Sequence, residues 1–436
     1  MLTHLLKNPS QGAARFAGSQ PSYQTIILIL CLLFTTSGLI CLGGCQKKPR
    51  PIPPREEAGQ VREEIVPARE ETGLIRLDPQ DYPDIQDDMD IASLSEAIDH
   101  SLAYYRRLPK DKQFTFGPDV YSAERLIMSL EYFSQVITRP RSQWPQIIKD
   151  EFLIYQSPGD KDRGGVLFTG YFESTLKGSL TKSQRYPCPI YRRPADLVVV
   201  DLSRFNNANT GQKIIGRCVG SDFMPYYSRD EIDNKGVLQG RGYELAYVTD
   251  PVDVFFLHVQ GSGKIELDNG QTIRVNYDVA NGRPYRSVGT LLIQENLIAK
   301  EDMSMQAIKS YLARHPEQRE RILNYNPSYV FFRQVTQGPL GNLQVPVTPN
   351  RSVATDQRVF PCGALAFVQT ERPLPDANYQ VKEWIKFSRF VLNQDTGGAI
   401  KGPGRVDIFF GHGPEAEFSA GYEKQLGRIY FLVKKD

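Results

Sequence analysis

Residues 390–411 read FVLNQDTGGAIKGPGRVDIFFG. Two strand-like runs are joined by a glycine-rich turn. Phe390, Val391 and Leu392 lead into Asp395, and Val406, Ile408, Phe409 and Phe410 make a β-branched and aromatic run around Asp407. Each run therefore carries a carboxylate at or near its end. An aspartate among Val, Ile and Phe is disfavoured in a strand and costly to bury unless it is paired or protonated. Such a position suits an acid whose pKa is raised. The simpler alternative is that both aspartates bond the turn amides of a tight loop.

The 436 residues leave room for two or three domains and a sizeable core. A net charge of +2 is too even to point to nucleic acid as a partner. Tyr and Phe number 22 each against 2 Trp, so most of these rings read as filler for a β-rich core, with some tyrosines free to stack on sugars in a groove. Cys188, Cys218 and Cys362 in the body contain no CxxC, which argues against a zinc cluster and leaves either one disulfide plus a thiol or three thiols. The scattered histidines include no HExxH, and Gly261-Ser262-Gly263-Lys264 lacks the first glycine and the Ser/Thr of a phosphate loop. No residue pattern calls for a metal or a cofactor.

The chain begins with a basic head (Lys7, Arg15) and an apolar run, Thr25 to Gly44, ending in small residues. This is the pattern of a secretory signal over 1–44. The run is also about long enough to span a bilayer, which is the competing reading. Residues 45–90 are rich in Pro, Glu and Arg and then acidic, and read as a disordered tether. At about 3 Å per residue such a tether spans on the order of 100 Å. From Ile91 the period becomes helical (Leu94, Ile98, Leu102, Tyr105), with further helices expected over about 120–136 and 144–153. Beyond them the expectation is β: strands over 165–174 and 197–202, a long apolar β run over 245–261, and a hairpin turning at Asn269-Gly270. A helical interlude is expected over 303–325, and then strands to the C-terminus at 329–332, 365–368, 390–392, 406–410 and 429–433. Short strands with many Gly and Pro turns argue for a barrel.

Several blocks together resemble the membrane-bound lytic murein transglycosylases of the A class. They are FTGYFES (168–174), GYELAYVTDPVDVFFLHVQGSGKIEL (242–267), NGRPYRSVG (281–289), MSMQAI (303–308), NPSYVFFR (326–333), RSVATDQRVFP (351–361), DTGGAIKG (395–402) and VDIFFGHGPEA (406–416). The chain departs from the family at Cys362, where Leu or Pro is usual, and at His258, where Gln is usual. Leu42-Gly43-Gly44-Cys45 resembles a lipobox, which implies cleavage before Cys45 and diacylglycerol on its sulfur, and Gln46 after it favours the outer membrane.

The resemblance implies a mainly β fold with N-terminal packing helices. A double-psi β-barrel (91–175 and 336–436) is interrupted by a smaller β-domain (176–335), and glycan lies in the groove between them. It also implies the three-aspartate domain, whose aspartates map to Asp356, Asp395 and Asp407, with Asp407 the catalytic acid and the other two supporting carboxylates. Thr169, Tyr171, Glu173, Gln260, Ser262 and Lys264 are the groove-lining candidates, weighed against ordinary strand and loop roles.

The implied reaction is cleavage of the β-1,4 bond between N-acetylmuramic acid and N-acetylglucosamine without water, one carboxyl acting as acid and then base. The implied setting is the periplasmic side of the outer membrane, anchored by lipid in its inner leaflet, among peptidoglycan strands and cell-wall synthesis or scaffold proteins. A hydrolytic muramidase on the same barrel and a non-catalytic peptidoglycan-binding lipoprotein remain the alternatives.

Overall fold

A computed structural model describes residues 73–161, 165–206 and 212–436. The expected signal peptide, the lipidation site Cys45 and the first part of the tether lie outside the described residues. Among the described residues no helix is long and apolar enough to cross a membrane.

The described chain opens on a short strand, β1 (Ile75–Arg76), followed by α1 (Ile91–Tyr105), a hairpin of β2 (Gln113–Phe116) and β3 (Asp119–Ser122), and then α2 (Ala123–Val136) and α3 (Trp144–Glu151). α1 starts where the Asp90 carboxylate accepts the Ser93 amide at 2.7 Å, and its stripe Leu94, Ala97, Ile98, Leu102 and Tyr105 is buried. α2 is shorter than its periodicity predicts, because Val120 belongs to the hairpin and Ser122 caps the helix. α3 gives way at once to β4 (Phe152–Gln156), absorbing what reads from the sequence as its last turn.

β5 (Val166–Ser179) is the axis of the molecule. After it come β6 (Cys188–Tyr191), a three-stranded sheet of β7 (Val198–Asp201), β8 (Lys213–Val219) and β9 (Asp222–Pro225), then α4 (Arg229–Asp233) and β10 (Glu244–Val248). The next run, expected as strand, is a helix: α5 (Pro251–Gln260). Its start is fixed by Asp250 accepting the Val252 amide with Pro251 in the first turn, and its end by Gly261 at φ +79° with its amide on Leu257 O. With both ends capped and the helix hydrophobic nearly all round, burial overrides the β preference of Val and Phe. The hairpin turns as expected at Gly270 (φ +83°), between β11 (Ser262–Leu267) and β12 (Thr272–Ala280). Then follow α6 (Val288–Gln294), α7 (Met305–Arg314), α8 (Arg319–Asn324) and β13 (Val330–Val335). The C-terminal part holds β14 (Ser352–Ala354), β15 (Leu365–Pro375), β16 (Val381–Asp395), β17 (Arg405–His412), α9 (Pro414–Tyr422) and β18 (Lys424–Lys434).

Strand pairing closes a barrel. β5, β18, β15, β16, β14 and β17 form a ring that returns to β5. The same β5 continues past Glu173 into a second sheet, pairing in parallel with β11, which is followed by β12 and β13. One unbroken strand thus serves both halves. The barrel and its helices share one core, from Leu94 and Phe133 to Phe390 and Phe431, and the middle segment holds separate apolar clusters.

Residues 73–90, read from composition as tether, are folded onto the barrel. Ile75 and Arg76 pair with β4, and Leu74, Ile85 and Asp87 are buried. Asp87 receives both arms of the buried Arg351 guanidinium at 2.6 and 2.9 Å and the Phe390 amide at 2.8 Å, and Asp88 receives Arg389 at 2.8 and 2.9 Å. The acidic run stays ordered because its partners, more than 260 residues away, supply the charges that composition alone cannot show.

Candidate functional site

The two aspartates of the opening stretch flank one small residue. Asp395 ends β16 and Asp407 sits in β17, and both are register partners of Ala354 in β14 between them. On its other side β17 runs parallel to β5, with Asp407 directly opposite Thr169. Side chains alternate faces along a strand, so Thr169 and Tyr171 project on the same side, one towards each carboxylate. Gly170 between them is required: a Cβ there meets the Phe410 ring at 2.5 Å and Ala420 Cα at 2.8 Å.

The carboxylates are held differently. Asp395 Oδ1 accepts the amides of Asn342 and Thr396, each at 2.8 Å, and Oδ2 accepts the Tyr171 hydroxyl at 3.0 Å. Burial pushes the Asp395 carboxyl up to about 6 against the lowering effect of these donors, and the neighbouring Asp407 charge adds to the rise. Asp407 Oδ1 accepts the Thr169 hydroxyl and lies 3.5 Å from Arg405 Nε. Its Oδ2 has no hydrogen-bond partner among the described residues. Asp407 opens onto a groove of about 520 Å³ between the barrel and the second sheet, together with Asp395, Tyr171, Gln260, Ser262 and Asn342.

Asp356 is elsewhere. It does not line the groove. Its carboxylate binds Arg358 through Nε (3.0 Å) and Nη2 (2.6 Å) and accepts the amides of Arg358 (3.1 Å) and Gly402 (2.8 Å). Burial alone would raise it, but the Arg358 guanidinium and the two amides outweigh that and hold it down to about 2. Asp356 ties the glycine-rich turn to the barrel; the groove lining holds Asp395, Asp407 and the exposed Asp278 of β12.

The other groove candidates divide. Gln260 lines the groove and its Oε1 accepts the Phe172 amide at 2.9 Å, while Ser262 lines it from the start of β11. Glu173 and Lys264 do not reach it. Glu173 is buried, with Lys264 Nζ at 3.3 Å and Arg274 Nη1 at 3.1 Å, an ion cluster where β5 passes from barrel to second sheet. Thr169 is absent from the groove lining and faces Asp407 instead. The structure adds residues that sequence reasoning passed over: Arg405, two positions before Asp407 on the same face of β17; Asn342, whose amide anchors Asp395; and the half-exposed Tyr277 and Tyr285 in the groove wall. The i, i+2 spacing of Arg405 and Asp407 is a signal readable in the sequence.

His258 is buried against Tyr329 and Phe332, with Nδ1 at 3.1 Å from Arg229 Nη2. Burial first, and then the Arg229 charge, push its pKa well down, so it stands neutral in the groove wall. Cys188, Cys218 and Cys362 are all free thiols.

Comparison with known proteins agrees with this arrangement. Residues 167–333 match the family described as the MltA specific insert domain, and residues 351–433 match the 3D domain. The chain is 35% identical over 281 residues to membrane-bound lytic murein transglycosylase A of Escherichia coli K12, covering 64% of this chain and 68% of that protein. It resembles the crystal structure of the membrane-bound lytic murein transglycosylase from Agrobacterium tumefaciens (TM-score 0.70, 29% identity, 83% of this chain and 98% of that one). It also resembles Escherichia coli MltA with bound chitohexaose (TM-score 0.64, 27% identity, 84% and 96%). On this sequence identity, this coverage and the shared fold, the chain belongs to the membrane-bound lytic murein transglycosylase A family.

Proposed function

We propose that this protein is a lytic transglycosylase that cleaves the β-1,4 bond between N-acetylmuramic acid and N-acetylglucosamine in peptidoglycan, with Asp407 as its single acid and base. The observation that carries the reading is the unequal occupation of the neighbouring carboxylates Asp395 and Asp407. Asp395 has donors on both oxygens, whereas Asp407, which lines the groove, keeps Oδ2 without a hydrogen-bond partner among the described residues. A hydrolase needs a second carboxylate as nucleophile or water activator. Here Asp395, the carboxylate beside Asp407, is committed to holding Asn342, Thr396 and Tyr171.

In the first step protonated Asp407 donates to the glycosidic oxygen as the bond to C1 of muramic acid breaks through an oxocarbenium-like state. In the second, the C6 hydroxyl of the same sugar bonds to C1 and its proton returns to Asp407. No water is consumed, and the product carries a 1,6-anhydro end.

The closed strand ring supports a double-psi β-barrel of residues 91–175 and 336–436, with 176–335 as the inserted β-domain and glycan between them. The relatives are named membrane-bound, which supports lipid anchoring at Cys45 on the periplasmic side of the outer membrane. Labelling with radioactive palmitate should mark the wild type and not Cys45→Ala; an unlabelled wild type removes the anchor.

Digestion of purified peptidoglycan with the full chain and with Asp407→Asn tests the reaction by mass spectrometry. Anhydromuropeptides from the wild type and none from the variant are expected. Products heavier by one water would make the enzyme a hydrolase, and binding without release by either protein would make it a glycan-binding module.

A further inference from the structure

We infer that Thr169 is a positioning residue which, backed by Arg405, fixes the working proton of Asp407 on Oδ2. The inference rests on Asp407 being the acid. Thr169 stands across a parallel strand pair from Asp407, in direct register, and its β-branched side chain is stiff at χ1. Two groups meet its single hydroxyl: Arg405 Nη2 at 3.4 Å and Asp407 Oδ1. A guanidinium only donates, and a hydroxyl has one proton. Towards Arg405 the Thr169 oxygen therefore accepts, and its proton goes to Asp407 Oδ1.

That direction decides the carboxyl. Oδ1 takes the Thr169 proton and also lies 3.5 Å from the cationic Arg405 Nε, so a proton on Oδ1 would meet a donor on one side and positive charge on the other. The acid proton is left to Oδ2, the oxygen that has no partner among the described residues and belongs to the groove-lining side chain. After donation, Oδ2 is again the free site, ready to receive the proton from the C6 hydroxyl. The second carboxylate shows the contrast: Tyr171, two residues along β5, donates to Asp395 Oδ2 and leaves neither oxygen of that carboxylate free. In the FTGYF stretch one threonine poises a carboxyl and one tyrosine closes the other.

The test is steady-state kinetics on soluble peptidoglycan strands with the full chain, comparing Thr169→Val, Thr169→Ser and Asp407→Asn. Valine keeps the shape and removes the hydroxyl; serine keeps the hydroxyl. Thr169→Val is expected to lower kcat about 10- to 100-fold, up to the lower end of what a well-placed general acid contributes, with KM within about twofold and the thermal midpoint unchanged. Thr169→Ser should recover kcat to within a few-fold. A Thr169→Val enzyme with wild-type kcat beside an inactive Asp407→Asn overturns the inference and leaves the acid assignment standing. A raised KM with unchanged kcat overturns it in favour of glycan contact, and equal loss in both threonine variants with a lowered midpoint overturns it in favour of packing. An active Asp407→Asn removes the reading on which it rests.

Discussion

The three aspartates of the C-terminal part look alike in the sequence, and their surroundings give each a different task. Asp356 meets a guanidinium and two amides and is held ionised; Asp395 is buried on donors and pushed up; Asp407 keeps an oxygen free. The first two make opposite predictions for stability against pH. Asp356 sits at about 2 in the fold against about 4 in an unfolded chain. Its stabilisation is present above about pH 4 and lost as pH falls towards 2, so Asp356→Asn should lower the thermal midpoint at pH 7 and approach the wild type near pH 2. Asp395 sits at about 6, raised above its unfolded value, so its contribution is full below about pH 4 and lost as pH rises through 6. Asparagine there still accepts the two amides, and the Tyr171 hydroxyl can turn to accept. The midpoint of Asp395→Asn should therefore gain on the wild type between pH 4 and pH 7; a constant difference across that range would show that Asp395 titrates as an ordinary carboxyl.

At the scale of elements, β5 does the positioning. Its period of two aims Thr169 and Tyr171 at the carboxylates while Gly170 lets Phe410 and α9 close against its other face. Gly170→Ala should cost about 1–3 kcal/mol by overpacking, measured by urea unfolding, and should lower activity by moving β17. A neutral result would show that Phe410 and Ala420 have room to retreat. The strand itself was readable as a buried run, and so were α1 and the Asn269-Gly270 hairpin, because period and turn chemistry are local. Residues 251–260 are helix where their composition predicts strand. Apolar runs of this length are ambiguous by pattern, and the deciding signals were the flanking Asp250-Pro251 and Gly261 rather than the residues between them.

At the scale of the whole molecule, the barrel is clasped from its N-terminal side. Asp87 is the counter-charge of Arg351, whose side chain is fully buried. Asp87→Ala leaves that cation without its carboxylate and should cost about 3–5 kcal/mol, read from denaturant midpoints. Loss below about 1 kcal/mol would mean that Phe390 O, Asp90 O and Ser93 Oγ suffice to hold the guanidinium. The clasp was illegible in the sequence. Residues 73–90 have the composition of a tether, and only folding brings them to Arg351 and Arg389. By itself the sequence determined the order of elements, the family blocks and the aspartates of interest, because periodicity, turn residues and motif spacing are properties of neighbours along the chain. The tertiary structure alone decided which aspartate keeps a free oxygen, which one ties down a loop, that Glu173 and Lys264 pair with each other outside the groove lining, and that the acidic run is folded onto the barrel. Each of those outcomes depends on burial and on partners far away in sequence, where the strength of a charge or a hydrogen bond is set by what folding places beside it.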